Sequence, residues 1–365
     1  MWQKNVLRHK TSRSSDTPGP KINKPLVPLD GLLVNHQSDA TTMKAAIINQ
    51  YGDSHELLVQ EVPNPLIDRQ DDPHQVLIRV HAAGINPVDT KLRQGGLKVV
   101  QPGDFPKILG LECAGIIEQV GLMVTDLKPG DRVVASLGMT GGGYAEYAVA
   151  KDTNVAKLPD EVDFVQAAAM PVAAGTALQA LRDKGHLRPG DRVLINGATG
   201  GVGTFAIQIA KLLGGLVTAV CSTNGVALAR QLGADQVIDY NVADFTKSIE
   251  KYDLVFDAVA KSSFDECRAI LTESGSYVTT VPSPKQVLEQ VVTTFTQQKA
   301  ESLLFRFTRE DMNWLLKQAA EGQLRAVVER TYRLNELALA HAESEAGHVK
   351  GKLVVIVTEN EPAKS

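Results

Sequence analysis

The sequence predicts an α/β chain in two parts: a β-rich part, and a doubly wound parallel sheet covered by helices. Three observations carry this. Residues 193–203 read VLINGATGGVG, a β-branched strand that breaks into glycines and runs on into a helix with apolar residues at Val202, Phe205, Ala206, Ile209 and Leu213. Residues 191–280 alternate strand with helix, the pattern of crossover connections and parallel strands. Residues 43–160 are instead short alternating runs punctuated by Gly, Pro and Asp, the spacing of a small barrel or sandwich.

In chain order, residues 1–42 carry Lys4, Arg8, Lys10, Arg13, Lys21 and Lys24 with several prolines and little apolar periodicity, so they are expected to be a disordered extension. A transit peptide, a native tail and a start placed too far upstream all fit, and Asp16, Asp30 and Asp39 weaken the first. MKAAIINQY, QVLIRVHAAGIN, AGIIEQVG, DRVVAS and YAEYAVA read as strands. From about Asp163 the period turns helical through AAAMPVAAGTALQAL, with a Pro at a helix entry or kink. Strands follow at 192–196, 216–220, 236–238, 253–256 and 276–280, and the helix 228–232 stops at Gly233. Residues 283–305, like 94–106, read as loop. A helix over 309–321 starts at Thr308 as N-cap, and then come a strand (VVERTYRL), a helix (NELALAHAESEA) and a strand (KLVVIV). The expected division is 1–42, then 43–162 with 325–365, and 163–324.

Composition narrows the function classes. The chain has 365 residues and a formal net charge of −4 with both signs interspersed, so nucleic acid is not the expected partner. No apolar run approaches a bilayer span. Cys113, Cys221 and Cys267 are few and far apart, which suits a reducing, cytoplasmic setting; mitochondrial or plastid targeting by the extension stays open. No Cys/His cluster points to a metal.

Strand, glycine turn and helix together are the setting in which backbone N–H groups and the helix dipole meet a dinucleotide pyrophosphate. The spacing here is Gly197-x-x-Gly200-x-x-Gly203. The adenosine ribose is expected at the end of the second strand, where an acid holds the free hydroxyls of NADH. The residues there are Cys221-Ser222-Thr223-Asn224, without a carboxylate. Hydroxyls and amides donate to a 2′-phosphate, so NADPH is the expected coenzyme, with Ser222 the leading contact and Tyr240 a second hydroxyl.

The stretches NPVDTKLRQGG (86–96), PKILGLECAGIIEQVG (106–121), LKPGDRVVA (127–135), GGYAEYAVA (142–150), NGATGGVG (196–203), LGADQVIDY (232–240) and GHVKGKLVV (347–355), in that order, resemble the medium-chain dehydrogenase/reductase superfamily, and within it the zinc-independent quinone oxidoreductase and enone reductase branch. The resemblance runs from Met43 to about Thr358. It implies a GroES-like β-rich catalytic domain interrupted by a Rossmann domain. Zinc members carry Cys where Asn86 stands and His-Glu where this chain has Leu111-Glu112, so no metal is expected; Glu112 reads as capping or pairing near the core. The resemblance also implies that Thr199, Gly200, Gly201 and Val202 face the pyrophosphate, that Thr176 approaches the nicotinamide, that Thr280 and Val281 follow a strand ending at the coenzyme cleft, and that Gly347, His348 and Val349 pass the nicotinamide. Tyr144 is expected in the barrel core.

The expected activity is hydride transfer from NADPH to a quinone or an α,β-unsaturated carbonyl, with charge developing on the acceptor oxygen. Asn86 offers an amide N–H, Lys91 an ammonium to stabilise the oxyanion or pass a proton, and Asp89 orients the loop or Lys91; the bland alternative is a turn at Asn86-Pro87 capped by Asp89. A low-turnover NADPH-binding scaffold or regulatory protein is the competing reading, and a homodimer fits the family.

Overall fold

The protein is described here by a computed structural model that covers residues 41–67, 70–101, 103–280, 284–293 and 296–358. Residues 1–40 of the expected extension and Val281 lie outside the described residues, and Thr42, expected in the extension, is instead the first residue of a strand. The first part contains β1 (Thr42–Ile48), β2 (Leu58–Pro63), β3 (Gln75–Ile85), α1 (Pro87–Arg93), β4 (Lys107–Ile108), β5 (Glu112–Val120), β6 (Arg132–Ser136), β7 (Tyr147–Lys151) and β8 (Val155–Lys157). Two helices follow, α2 (Phe164–Ala168) and α3 (Pro171–Leu178), broken where Pro171 enters as the first residue of α3. Next come β9 (Arg192–Asn196), α4 (Gly201–Leu212), β10 (Leu216–Cys221), α5 (Val226–Gln231), β11 (Gln236–Asp239), β12 (Tyr252–Asp257), α6 (Phe264–Cys267), β13 (Leu271–Thr279), α7 (Pro284–Thr293) and β14 (Lys299–Ser302). The last elements are α8 (Arg309–Ala320), β15 (Val328–Arg333), α9 (Leu337–Ala346) and β16 (Lys352–Ile356).

The parallel sheet runs β11-β10-β9-β12-β13-β14. The order reverses direction at β9, and the carboxyl end of that strand opens onto the crevice where doubly wound sheets bind ligands. Val193, Leu194 and Ile195 of β9 are fully buried, as a strand covered on both faces must be. The second large sheet runs β15-β16-β3-β5-β6-β8, with β7 also on β3, and a small third sheet pairs β2, β1 and β4. β16 thus returns to lie antiparallel to β3, with Leu353 opposite Ile85.

One apolar core joins the two large sheets. It contains Ala82, Ala114 and Val354 from the β-rich sheet, Ala167, Ala174 and Leu178 from α2 and α3, and Ile195 and Phe205 from the parallel sheet and α4. The small residues of α2 and α3 let this layer sit close to both. Thr308 caps α8 by accepting from the Asp311 amide at 3.1 Å, as its sequence foretells.

In the β-rich part the structure adds β2, β4 and β8 to the strands expected, and α1 where a turn was expected; in the parallel sheet it departs from the sequence reading in two places. Residues 283–305, expected as loop, hold α7 and β14. β14 is an edge strand in which Ala300 is the one buried residue, so its pattern carries no alternation to detect. The strand expected over 276–280 starts earlier, at Leu271, and stops at Thr279.

Candidate active site

The glycine elbow forms at the carboxyl end of β9. Gly197 has φ of +76°, and a Cβ there would meet Val259 at 2.4 Å. At Gly203 a Cβ would come within 2.1 Å of the Gly197 carbonyl oxygen, so strand and helix pack without a side chain between them. Gly200 is different. It is the N-cap of α4 with an ordinary φ of −79°, and a Cβ would meet nothing nearer than the Gly197 oxygen at 3.5 Å. Internal packing gives no reason for glycine at this position; close approach of a ligand does. The first turn of α4 leaves N–H groups without helical partners on that side.

The segment before β16 lies against this elbow. The Gly351 amide donates to the Thr199 carbonyl at 2.9 Å, and Gly200 and Gly351 form a parallel bridge. The next residue, Lys352, stretches from the elbow to the loop after β3. Its stem lies beside Gly201, where a Cβ would meet the lysine Cδ at 3.1 Å. Its ammonium is buried and donates to the Ile85 carbonyl at 3.0 Å, to Glu112 Oε1 at 3.0 Å and to Asn86 Oδ1.

Asn86 and Glu112 complete this network. Asn86 Nδ2 donates to Glu112 Oε1 at 2.7 Å. The other carboxylate oxygen accepts from the Val172 amide at 2.7 Å, at the start of α3. Glu112 therefore both pairs and caps, the role its sequence suggested. A full negative charge with no exposure is tolerable here because an ammonium and two further donors face it.

Asp89 sits in the first turn of α1 and is fully buried. Its Oδ2 accepts from the Asn86 amide at 2.9 Å, so it caps the helix that Asn86 and Pro87 begin. Burial pushes its carboxyl up to about 7, opposed by the hydrogen bond from the Asn86 amide. Lys91 lies on the exposed side of the same helix and makes no described ion pair with Asp89. The structure thus joins Asn86 to Asp89 and leaves Lys91 at the surface, its ammonium open to solvent. Behind α1, buried Arg93 donates to Glu345 and contacts His341 Nδ1 at 3.3 Å. Burial and this guanidinium hold the His341 imidazole down at about 3. Tyr144 is fully buried in the core of the β-rich part, edge-on to His341.

The remaining expected contacts are placed as follows. Thr199, Gly200, Gly201 and Val202 form the elbow and its first helical turn and are partly exposed. The Thr176 hydroxyl donates to the Val172 carbonyl at 2.6 Å within α3, and Thr280 Oγ1 lies 3.4 Å from the Ala258 carbonyl. Gly347 ends α9 in the left-handed region, His348 is exposed, and Val349 packs partly on the β-rich core. Ser222 follows β10 and is half-buried with no capping bond from its hydroxyl; Tyr240, after β11, is exposed.

The sequence reading missed Lys352 and Asp239. Lys352 opens a strand that reads as plain core, and nothing local marks its partners. Asp239 ends the strand next to β10, and its Oδ2 accepts from Thr223 Oγ1 at 2.5 Å. The absence of a carboxylate from residues 221–224 therefore does not leave that corner free of acid; the parallel neighbour brings one in.

Comparison with known proteins agrees with this architecture. Residues 72–160 match the family described as "Alcohol dehydrogenase GroES-like domain", and residues 232–355 match "Zinc-binding dehydrogenase". The chain is 34% identical over 294 residues to a chloroplast envelope quinone oxidoreductase homolog from Arabidopsis thaliana, across 77% of this chain and 89% of that protein. The chain belongs to the medium-chain dehydrogenase/reductase superfamily, in its quinone oxidoreductase branch. It is also 33% identical to the mitochondrial NAD(P)H oxidoreductase RTN4IP1 of Mus musculus, across 87% of this chain and 90% of that one. A solved quinone oxidoreductase from Coxiella burnetii superposes with a TM-score of 0.79 at 33% identity, covering 87% of this chain and all of that one. As a member of this superfamily the chain is an oxidoreductase using a nicotinamide coenzyme. No helix among the described residues is long and apolar enough to cross a membrane.

Zinc, which one of those family descriptions names, does not fit the residues. Leu111 has no donor atom, and Asn86 and Glu112 already surround an ammonium, whose charge opposes a second cation. Among the described residues no three His, Cys, Asp or Glu side chains gather as a metal site.

Proposed function

We propose that this oxidoreductase is a zinc-independent, NADPH-preferring reductase that transfers hydride to a quinone or an α,β-unsaturated carbonyl. The observation that carries the reading is the Lys352 bridge. The lysine stem packs beside the elbow at Gly201 and its ammonium donates to Asn86 Oδ1 and Glu112, so a fixed cation already sits where these two side chains meet, and an acceptor that is itself electrophilic suits such a site. The names of the relatives, quinone oxidoreductases among them, agree.

A bound nicotinamide coenzyme supplies hydride. The protein contributes position and charge. The elbow's free N–H groups and Thr199 would hold the pyrophosphate end, with Gly200 bare to let it approach, while Thr176 and the segment Gly347, His348 and Val349 would bound the nicotinamide side. Lys352 fixes the Asn86 amide by taking its Oδ1, and Glu112 takes one of the two Nδ2 protons. The second Nδ2 proton remains to meet developing charge on an acceptor oxygen. Asp89 holds the loop from below through the Asn86 amide. Lys91, exposed on α1, supplies a proton or a counter-charge to the reduced acceptor. Ser222 donates to the 2′-phosphate, with Tyr240 beside it.

The test is loss of NADPH absorbance against quinones, short enals and cyclic enones, in the parent and in Lys91→Ala. Turnover with at least one acceptor, reduced in the variant far more than coenzyme affinity is, supports the reading. Stoichiometric NADPH binding without oxidation across the panel favours a scaffold role. Equal turnover in the variant removes Lys91 from the mechanism.

A further inference from the structure

The ribose corner contains a charge that the coenzyme reading has to accommodate. β10 and β11 run parallel with Cys221 opposite Asp239, and the Tyr240 amide donates to the Cys221 carbonyl at 3.0 Å. This register brings the Asp239 side chain to the residues that follow β10. Asp239 Oδ2 accepts from Thr223 Oγ1 at 2.5 Å, and Oδ1 accepts from the Asn241 amide at 2.9 Å. Asn241 Nδ2 in turn donates to Thr223 Oγ1 at 3.3 Å.

Two consequences follow from donor counting. The one proton of the Thr223 hydroxyl is committed to Asp239, so Thr223 has none to give a phosphate. Each carboxylate oxygen still has a lone-pair site, so Asp239 can accept from a further hydroxyl. The hydrogen bond from Thr223, with that from the Asn241 amide, also holds the carboxyl below its usual range, so it is an anion at neutral pH. No Lys or Arg occurs in residues 221–229 or 239–246 to offset it, and Arg230 lies in the last turn of α5, the end away from this corner. The parallel strand ends therefore present neutral donors, Ser222 and Tyr240 among them, and the acid Asp239, with no cation from these stretches.

We propose that Asp239 selects between coenzymes: its carboxylate accepts the free ribose 2′-hydroxyl of NADH and opposes the 2′-phosphate of NADPH, so the protein uses both with only a narrow preference for NADPH. The proposal rests on the coenzyme occupying the elbow as described above. An acid on the third strand of the sheet, acting through the loop after the second, does the work that doubly wound domains usually assign to the second strand itself.

The experiment measures dissociation constants of NADPH and NADH by coenzyme fluorescence, and kcat/KM for each with menadione, in the full chain and in Asp239→Asn. Asparagine keeps an acceptor for the Asn241 amide and loses the charge. The expected result is that the parent binds both coenzymes within roughly tenfold of one another and that the variant shifts the ratio toward NADPH by a further factor of about ten, the equivalent of ~1.4 kcal/mol. Asp239→Ser serves as the second variant and shifts the ratio in the same direction. An unchanged ratio in a folded variant, or a parent that prefers NADPH by about a hundredfold or more, overturns the proposal. A parent that binds neither coenzyme overturns the coenzyme reading itself, which separates the two failures.

Discussion

Replacing Lys352 with Met keeps the apolar stem beside Gly201 and removes the ammonium. Glu112 then retains Asn86 Nδ2 and the Val172 amide but loses its counter-charge, while remaining fully buried. Breaking a buried pair from one side costs about 3–5 kcal/mol, because the surviving charge is left uncompensated. Against a total stability of about 5–15 kcal/mol this is a large fraction. Glu112→Gln strands the ammonium instead and carries a comparable penalty. The double variant removes both charges, so its loss is well below the sum of the two, with a coupling of about 2 kcal/mol or more. Urea denaturation of the parent, both single variants and the double variant forms the cycle. A Lys352→Met loss under about 1 kcal/mol, or a double variant equal to the sum of the singles, would refute the claim that this pair holds the junction.

Three further outcomes are expected. Gly200→Ser adds a Cβ that the fold accommodates, with nothing nearer than the Gly197 oxygen at 3.5 Å, at an N-cap where Ser is favoured, so coenzyme binding is strongly weakened by intrusion on the pyrophosphate while thermal stability stays close to the parent's; intact binding by calorimetry would move the phosphate site. Ser222→Asp adds an acid beside Asp239 and swings kcat/KM toward NADH; a constant NADPH/NADH ratio would place the 2′-phosphate elsewhere. The third concerns pH. Asp89 is raised from 3.8 to about 7 in the folded chain, so between these values the unfolded state has released a proton that the folded state keeps. Its contribution therefore falls as pH rises through that window and levels off above it, by a few kcal/mol at most (~1.4 per unit of difference). Asp89→Asn, which keeps an acceptor for the Asn86 amide, flattens the slope of stability between about pH 4 and 7; parallel curves for parent and variant would contradict this.

The parts of the fold that are legible in sequence are those whose burial is two-sided or whose ends are chemically marked. β9 reads directly because Val193, Leu194 and Ile195 must all be apolar, and α8 reads because Thr308 caps it. β14 does not read, because an edge strand with one buried residue has no period. The site follows the same rule. Asn86, Asp89 and Glu112 stand in recognisable local stretches, and the glycine elbow is marked by its spacing. Lys352 reaches Asn86 across 266 residues of chain and Asp239 reaches Thr223 across 16, and both contacts are set by strand register. Register is a property of the assembled sheet, so no local pattern announces either partner.

The position of β16 also sets an order of assembly. The parallel sheet is made from consecutive chain, β9 to β14, and every strand it needs has been synthesised once Ser302 has emerged. The β-rich sheet is different: its seam between β15 and β3 stays open until Lys352–Ile356 arrives, and the lysine that bridges the elbow to Asn86 arrives on the same strand. During synthesis the parallel sheet can therefore be complete while the β-rich sheet is still unsealed. β16 therefore closes the β-rich sheet and brings Lys352 to Asn86 and Glu112 in one event.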